Sequence, residues 1–168
     1  MSSKCIICFA EHDRLHGNKP HIYCERCSVI KRESTDIISE ITDTLFLSGM
    51  KPAGRFDGDR LCVHEMTPTY TGQFHHIPIL TKAPTSKSDR SGAVASLEAL
   101  DRCANLIDDY VNSGRRLLVH CHGGVERSPL TLVWYFVRTK KFNTLMEGYE
   151  FLKAKRPVVS ERLFWLPY

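Results

Sequence analysis

The stretch Leu117-Leu118-Val119-His120-Cys121-His122-Gly123-Gly124-Val125-Glu126-Arg127-Ser128 decides how the rest of the chain is read. Leu117–Val119 is a short, continuous apolar run, the pattern of a strand buried on both faces. A compact loop with two adjacent glycines follows, and Ser128–Thr139 then reads as a helix. A strand, a tight loop and a helix in that order aim several backbone N–H groups and a helix N-terminus at one point, and that point favours an anion. Gly123 and Gly124 allow conformations that other residues resist and let a ligand come close. Cys121 opens the loop and Arg127 lies six positions later, so a loop curled around an anion brings both to the same oxyanion. The positive field there stabilises the thiolate, the reactive form of cysteine. Arg127 offers a planar fork of donors that matches two oxygens of a phosphate. Gly-Gly and a charged arginine would serve a plain core junction poorly.

Outward from this loop the pattern is α/β: a central, mostly parallel sheet flanked by helices. Leu45-Phe46-Leu47 before Gly49 predicts a strand ending in a turn, within Ile41–Ser48. Leu61–Glu65 and Phe74–Leu80 are two more strand candidates, although Pro78 demands an edge position or a strand end in the second. A polar loop, Thr81–Gly92, comes next. Val94, Leu97, Leu100, Ala104, Ile107 and Val111 recur every three or four residues and predict a helix over Ala93–Asn112, with Gly114 just past its end. Thr144–Lys155 predicts a last helix, stopped by Pro157. Cys62 and Cys103 read as small core residues, and Trp134, Tyr135 and Phe136 as core. His75 and His76 are adjacent on a strand and face opposite ways, which argues against a shared metal.

Residues 1–35 differ from this pattern. They hold four of the seven cysteines, in the pairs Cys5-x-x-Cys8 and Cys24-x-x-Cys27, and few large apolar residues. Four thiolates so spaced can close around one tetrahedral zinc, and a segment this poor in core needs such a staple. His12, His16 and His21 lie between the pairs and could replace a thiol. The predicted division is a zinc-binding segment over 1–35 and a second domain over 36–168. The site would be structural and closed, so no catalytic cofactor is implied.

A formal charge of +4 is mild and, with no block of five like charges, does not require a nucleic-acid partner. No run of about 18 apolar residues exists, so no membrane-spanning helix is expected. The first residues lack the apolar core of a signal peptide, which predicts a cytoplasmic protein.

His120-Cys121, five residues, then Arg127-Ser128 resembles the signature of the protein tyrosine phosphatase superfamily. Pro129 and the ending Lys155-Arg156-Pro157-Val158-Val159-Ser160 resemble its dual-specificity branch, and the resemblance runs from about Ile41 to the end. It implies that Cys121 attacks phosphorus and forms a phosphocysteine. Arg127 and the amides of His122, Gly123, Gly124, Val125 and Glu126 would bind the phosphate. Ser128 would assist release of the thiolate, and His120 would orient the loop. An aspartate must protonate the leaving oxygen and then activate water. Asp89, 32 positions before Cys121 in a polar loop, stands at about the separation of the branch, with Asp57 and Asp59 as weaker rivals. The implied substrate is a phosphorylated protein, phosphotyrosine and with it phosphoserine or phosphothreonine. The same loop also serves phosphatases of phosphoinositides or RNA 5′-phosphates, and a catalytically silent phosphate-binding adaptor is a third reading. Glu126 argues against a highly anionic substrate. Pointing outward, it would sit at the rim and recruit a basic group.

Overall fold

The computed structural model describes residues 36–86 and 89–167, together with the backbone of Leu15–His16 (β1) and Tyr23–Cys24 (β2). β1 and β2 pair antiparallel, with Leu15 opposite Cys24. Further along come β3 (Ser39–Glu40), β4 (Leu45–Ser48), α1 (Met50–Ala53), β5 (Asp59–Cys62), β6 (Phe74–His76), β7 (Leu80–Lys82), β8 (Val94–Ala95), α2 (Leu97–Asn112), β9 (Leu117–His120), α3 (Arg127–Arg138) and α4 (Leu145–Lys155). A 3-10 turn, Leu163–Trp165, ends the described chain.

The main sheet has the order β3-β4-β9-β5-β6. β4, β9, β5 and β6 are parallel, and the edge strand β3 is antiparallel to β4. The apolar run 117–119 is therefore the centre of the sheet. Val119 lies between Leu47 and Leu61, and His120 between Ser48 and Cys62. Alternation along the strands separates two faces. Leu45, Leu47, Leu61, Leu117 and Val119 join the large core built with α2, α3 and α4. Phe46 and Leu118 face the other way, against Ala53 and Phe56. Arg60 is buried on that second face; its charge is met by the carbonyls of Ala53 and Thr71 and by the Tyr70 ring, 4.3 Å from the guanidinium carbon.

Local chemistry sets the helix ends. Ser96 accepts from the Ala99 N–H at the start of α2, and Gly114, at φ +68°, takes the left-handed position after its end. Thr144 and Glu147 form a reciprocal capping box on α4.

Three sequence expectations shift. The second strand lies over Asp59–Cys62, and Val63–Glu65 runs past the sheet as a loop. The expected strand Phe74–Leu80 is two strands: β6 stays in the main sheet, and beyond Pro78 β7 leaves it to pair with β8. Val94 thus belongs to a strand, and Leu97, at the first position of α2, is 40% exposed. Among the described residues, no helix is long and apolar enough to cross a membrane.

Candidate active site

The parallel strands β4, β9 and β5 all end at one edge, at Ser48, His120 and Cys62, the edge where open α/β sheets place their sites. The loop 121–126 leaves the middle strand there. The carbonyls of residues 122–125 are all occupied from outside it. His122 O accepts from Met50 N at 2.9 Å, Gly123 O from Arg156 Nη2 at 3.2 Å, Gly124 O from Arg156 Nε at 3.0 Å, and Val125 O from Ser160 N at 2.9 Å. In a trans peptide the N–H points opposite to the preceding C=O. The N–H groups of Gly123, Gly124, Val125 and Glu126 therefore turn to the other side of the loop, and none donates to another described residue. Four free amides beside the N-terminus of α3 make a cradle for an anion.

The glycines contribute unequally. Gly124 sits at φ +65°, and a Cβ there would come within 2.5 Å of the Ser48 backbone. Gly123 has ordinary backbone, and a Cβ there meets only a Val125 methyl at 3.5 Å. A third glycine, read in the sequence only as the end of a strand, matters here: at Gly49, a Cβ would lie 2.7 Å from His122 O, so β4 can approach the loop only through this residue.

Cys121 is buried at the start of the loop, and the Ser128 hydroxyl donates to its Sγ at 3.2 Å. His120 is fully buried. Its Nδ1 faces the Cys121 carbonyl at 3.2 Å, and since a carbonyl can only accept, Nδ1 carries the proton. Nε2 then accepts from the Tyr70 hydroxyl at 2.6 Å. Burial pushes the His120 pKa down to about 4, so the ring is neutral around pH 7. The neighbouring Cys62 thiol is pushed up to about 11, chiefly by burial, and stays protonated.

Arg127 is the first residue of α3. Its Nε faces both carboxylate oxygens of Glu65 at 3.1 Å, and its guanidinium carbon lies 5.8 Å from the Trp165 ring. Glu65 was missed in the sequence because nothing in the motif points to a residue 62 positions earlier. Arg156 was missed because a charged residue before a proline reads as surface. It is instead buried, and it also reaches Ile37 O and Ser39 Oγ.

Asp89 lies in the loop between β7 and β8 and is exposed. The Ser91 hydroxyl and N–H both donate to its Oδ1, which holds the carboxyl below its ordinary range. Asp59 accepts from the Tyr110 hydroxyl, and the Asp57 carbonyl accepts from Arg116; neither contact joins them to the loop 121–127. Glu126 is turned toward Arg162 Nη2 at 3.1 Å and Arg90 Nε at 3.4 Å, with its side chain 11% exposed. It is covered and matched by two cations, so the expectation that it recruits a basic group on a substrate is corrected. His122 is exposed, its ring 5.8 Å from that of His64. Cys5, Cys8 and Cys27 lie outside the described residues, as does the side chain of Cys24.

The chain is similar to several known proteins. Dual specificity protein phosphatase 5 of Rattus norvegicus is 43% identical over 63 residues, which is 38% of this chain and 15% of that protein. Dual specificity protein phosphatase 12 of Mus musculus is 35% identical over 71 residues, 41% of this chain and 21% of that protein. The matched stretches span only 15% to 42% of such curated relatives. The crystal structure of the Cydia pomonella PTP-2 phosphatase superposes with a TM-score of 0.60 at 18% identity, covering 77% of this chain and 86% of that one. That of human DUSP28 gives 0.59 at 18%, covering 76% and 86%. At such identities the superpositions establish the fold alone. The family described as the dual specificity phosphatase catalytic domain matches residues 66–166, more than half of the chain and the whole stretch that builds the loop, its helix and the segment bearing Asp89. By that match, this chain belongs to the dual specificity phosphatase catalytic-domain family.

Proposed function

We propose that this protein hydrolyses phosphomonoesters of protein side chains, phosphotyrosine first, through a phosphocysteine on Cys121. The observation that carries this reading is the loop whose four carbonyls are bound outward and whose four amides are free, with a cysteine at one end and an arginine at the other. The amides and Arg127 hold the three non-bridging oxygens. The Cys121 thiolate attacks phosphorus, the S–P bond forms and the ester P–O bond breaks. Asp89 gives its proton to the departing phenol oxygen. Water then attacks phosphorus, Asp89 takes its proton, and inorganic phosphate leaves with the thiolate regenerated. Ser128, donating to Sγ, stabilises that thiolate as a leaving group. His120, neutral and fixed by Tyr70, orients the first peptide of the loop.

Activity on para-nitrophenyl phosphate that disappears in Cys121→Ser supports the reading, and activity that survives that change rejects it. A panel of phosphotyrosine, phosphoserine and phosphothreonine peptides, inositol phosphates and 5′-triphosphate RNA then identifies the substrate; preference for either of the last two would overturn the protein-substrate assignment.

The N-terminal residues form a second part of this proposal. Cys5, Cys8, Cys24 and Cys27 would hold one structural Zn2+, leaving the chemistry to the domain over 36–168. The antiparallel β1–β2 pair supports this, because it folds the chain back between the two cysteine pairs and ends at Cys24. Elemental analysis of the native protein and of a four-serine variant tests it.

A further inference from the structure

We propose that Glu126 is a positioning residue for the acid, linking the phosphate-binding loop to the segment that carries Asp89; this rests on the role of Asp89 given above. Glu126 occupies the last loop position before Arg127, where an uncompensated carboxylate would oppose an incoming phosphate. It is not spent on capping, since its side chain makes no hydrogen bond to the N-terminus of α3. It is not offered to solvent either, at 11% exposure. Both cations matched to it come from other segments, Arg90 from the Asp89 loop and Arg162 from the C-terminal stretch.

Arg90 stands between Asp89 and Ser91, the residue whose N–H and hydroxyl hold the Asp89 carboxylate. The short turn 89–91 is thus gripped at its centre from two sides. The Arg90 carbonyl accepts from Trp165 Nε1 at 2.9 Å, and the Arg90 side chain meets Glu126. Trp165 is fully buried, and the guanidinium carbons of Arg127 and Arg162 lie 5.8 and 5.7 Å from its ring. The indole fixes where the turn sits. Glu126 ties it to the same loop that binds the phosphate, so acid and phosphate share one frame. Misplacing an acid costs rate in proportion to how much the leaving group needs the proton.

That dependence supplies the test. Glu126→Gln keeps the size and removes the charge. It should lower kcat/KM by about tenfold for a phosphotyrosine peptide, whose leaving phenol has a pKa of about 10, and far less for para-nitrophenyl phosphate, whose leaving group is less basic. Arg90→Gln should produce the same split, and the double variant should be no worse than either single one. On an Asp89→Asn background, Glu126→Gln should add nothing. Glu126→Gln should not weaken inhibition by inorganic phosphate, since it removes a carboxylate from the loop and leaves the amides and Arg127 in place. Equal losses on both substrates, or an undiminished loss on the Asp89→Asn background, would overturn the proposal while leaving the acid assignment standing. An Asp89→Asn variant with no leaving-group dependence of its own would overturn the acid assignment and this proposal together.

Discussion

Ser91 holds the Asp89 carboxylate with two hydrogen bonds and so favours its ionised form in the ligand-free enzyme. Asp89→Asn should lower turnover of phenolic phosphates by about one to three orders of magnitude. A finer outcome follows from the direction of the shift. In the proposed mechanism the first chemical step needs Asp89 protonated, so the basic limb of kcat/KM against pH should report its pKa in the free enzyme. Ser91→Ala removes one of the donors that depress this pKa, and the limb should move to higher pH. A pH–rate series with a phosphotyrosine peptide measures it, and an unmoved limb would detach either Ser91 from Asp89 or Asp89 from the limb. Residues of the loop itself were legible in the sequence because Cys121, Gly124, Arg127 and Ser128 are neighbours in the chain as in space. Glu65, Tyr70 and Arg156 were not, because each comes from a distant part of the chain and meets the loop, or the histidine before it, only in the folded molecule. The direction of Glu126 was equally hidden, since its partners come from positions 90 and 162.

At the scale of elements, long periodic segments were readable and the crossings between them were not. Periodicity located α2, but it drew Val94 into the helix, because a half-buried strand residue three positions before a helical one satisfies the same spacing. Pro78 announced a break in Phe74–Leu80 without saying that the chain would then pair with β8. The phosphate-binding loop gives the sharpest test at this scale, because its two adjacent glycines look alike in the sequence. Gly124→Ala forces an alanine into left-handed backbone, about 1–2 kcal/mol on that ground alone, and drives its methyl into the Ser48 backbone. Gly123→Ala meets neither obstacle. Urea unfolding should show the first variant destabilised by more than about 2 kcal/mol and the second by less than about 1. Equal losses would mean that the loop is shaped differently from this description.

For the whole molecule, the telling quantity is how stability depends on pH. The candidate site is built onto the central strand, and β9 ends in a histidine with no contact to water. His120 donates through Nδ1 to the Cys121 carbonyl and accepts at Nε2 from Tyr70, whose own pKa is raised by burial, so that its hydroxyl keeps its proton. Protonation at Nε2 would set two donors against each other, in a site where charge is already disfavoured. The folded pKa of about 4 lies below the ordinary value of 6.5. The sign follows from proton uptake: between these values the unfolded chain binds a proton that the native state refuses. The contribution of His120 is therefore fully present above pH 6.5, falls as the pH drops through the interval, and is gone below about pH 4. Its size is roughly 3 kcal/mol, from 1.36 kcal/mol for each pKa unit. Urea unfolding from pH 7 to pH 4 should show stability falling with pH, and the fall should be shallower in His120→Asn, whose amide can still donate and accept. NMR titration of the His120 ring should show no change between pH 8 and 5.5. A midpoint near 6.5, or equal slopes in the two proteins, would mean that the end of the central strand is open to water and that the ring beneath the loop does not hold its neutral form.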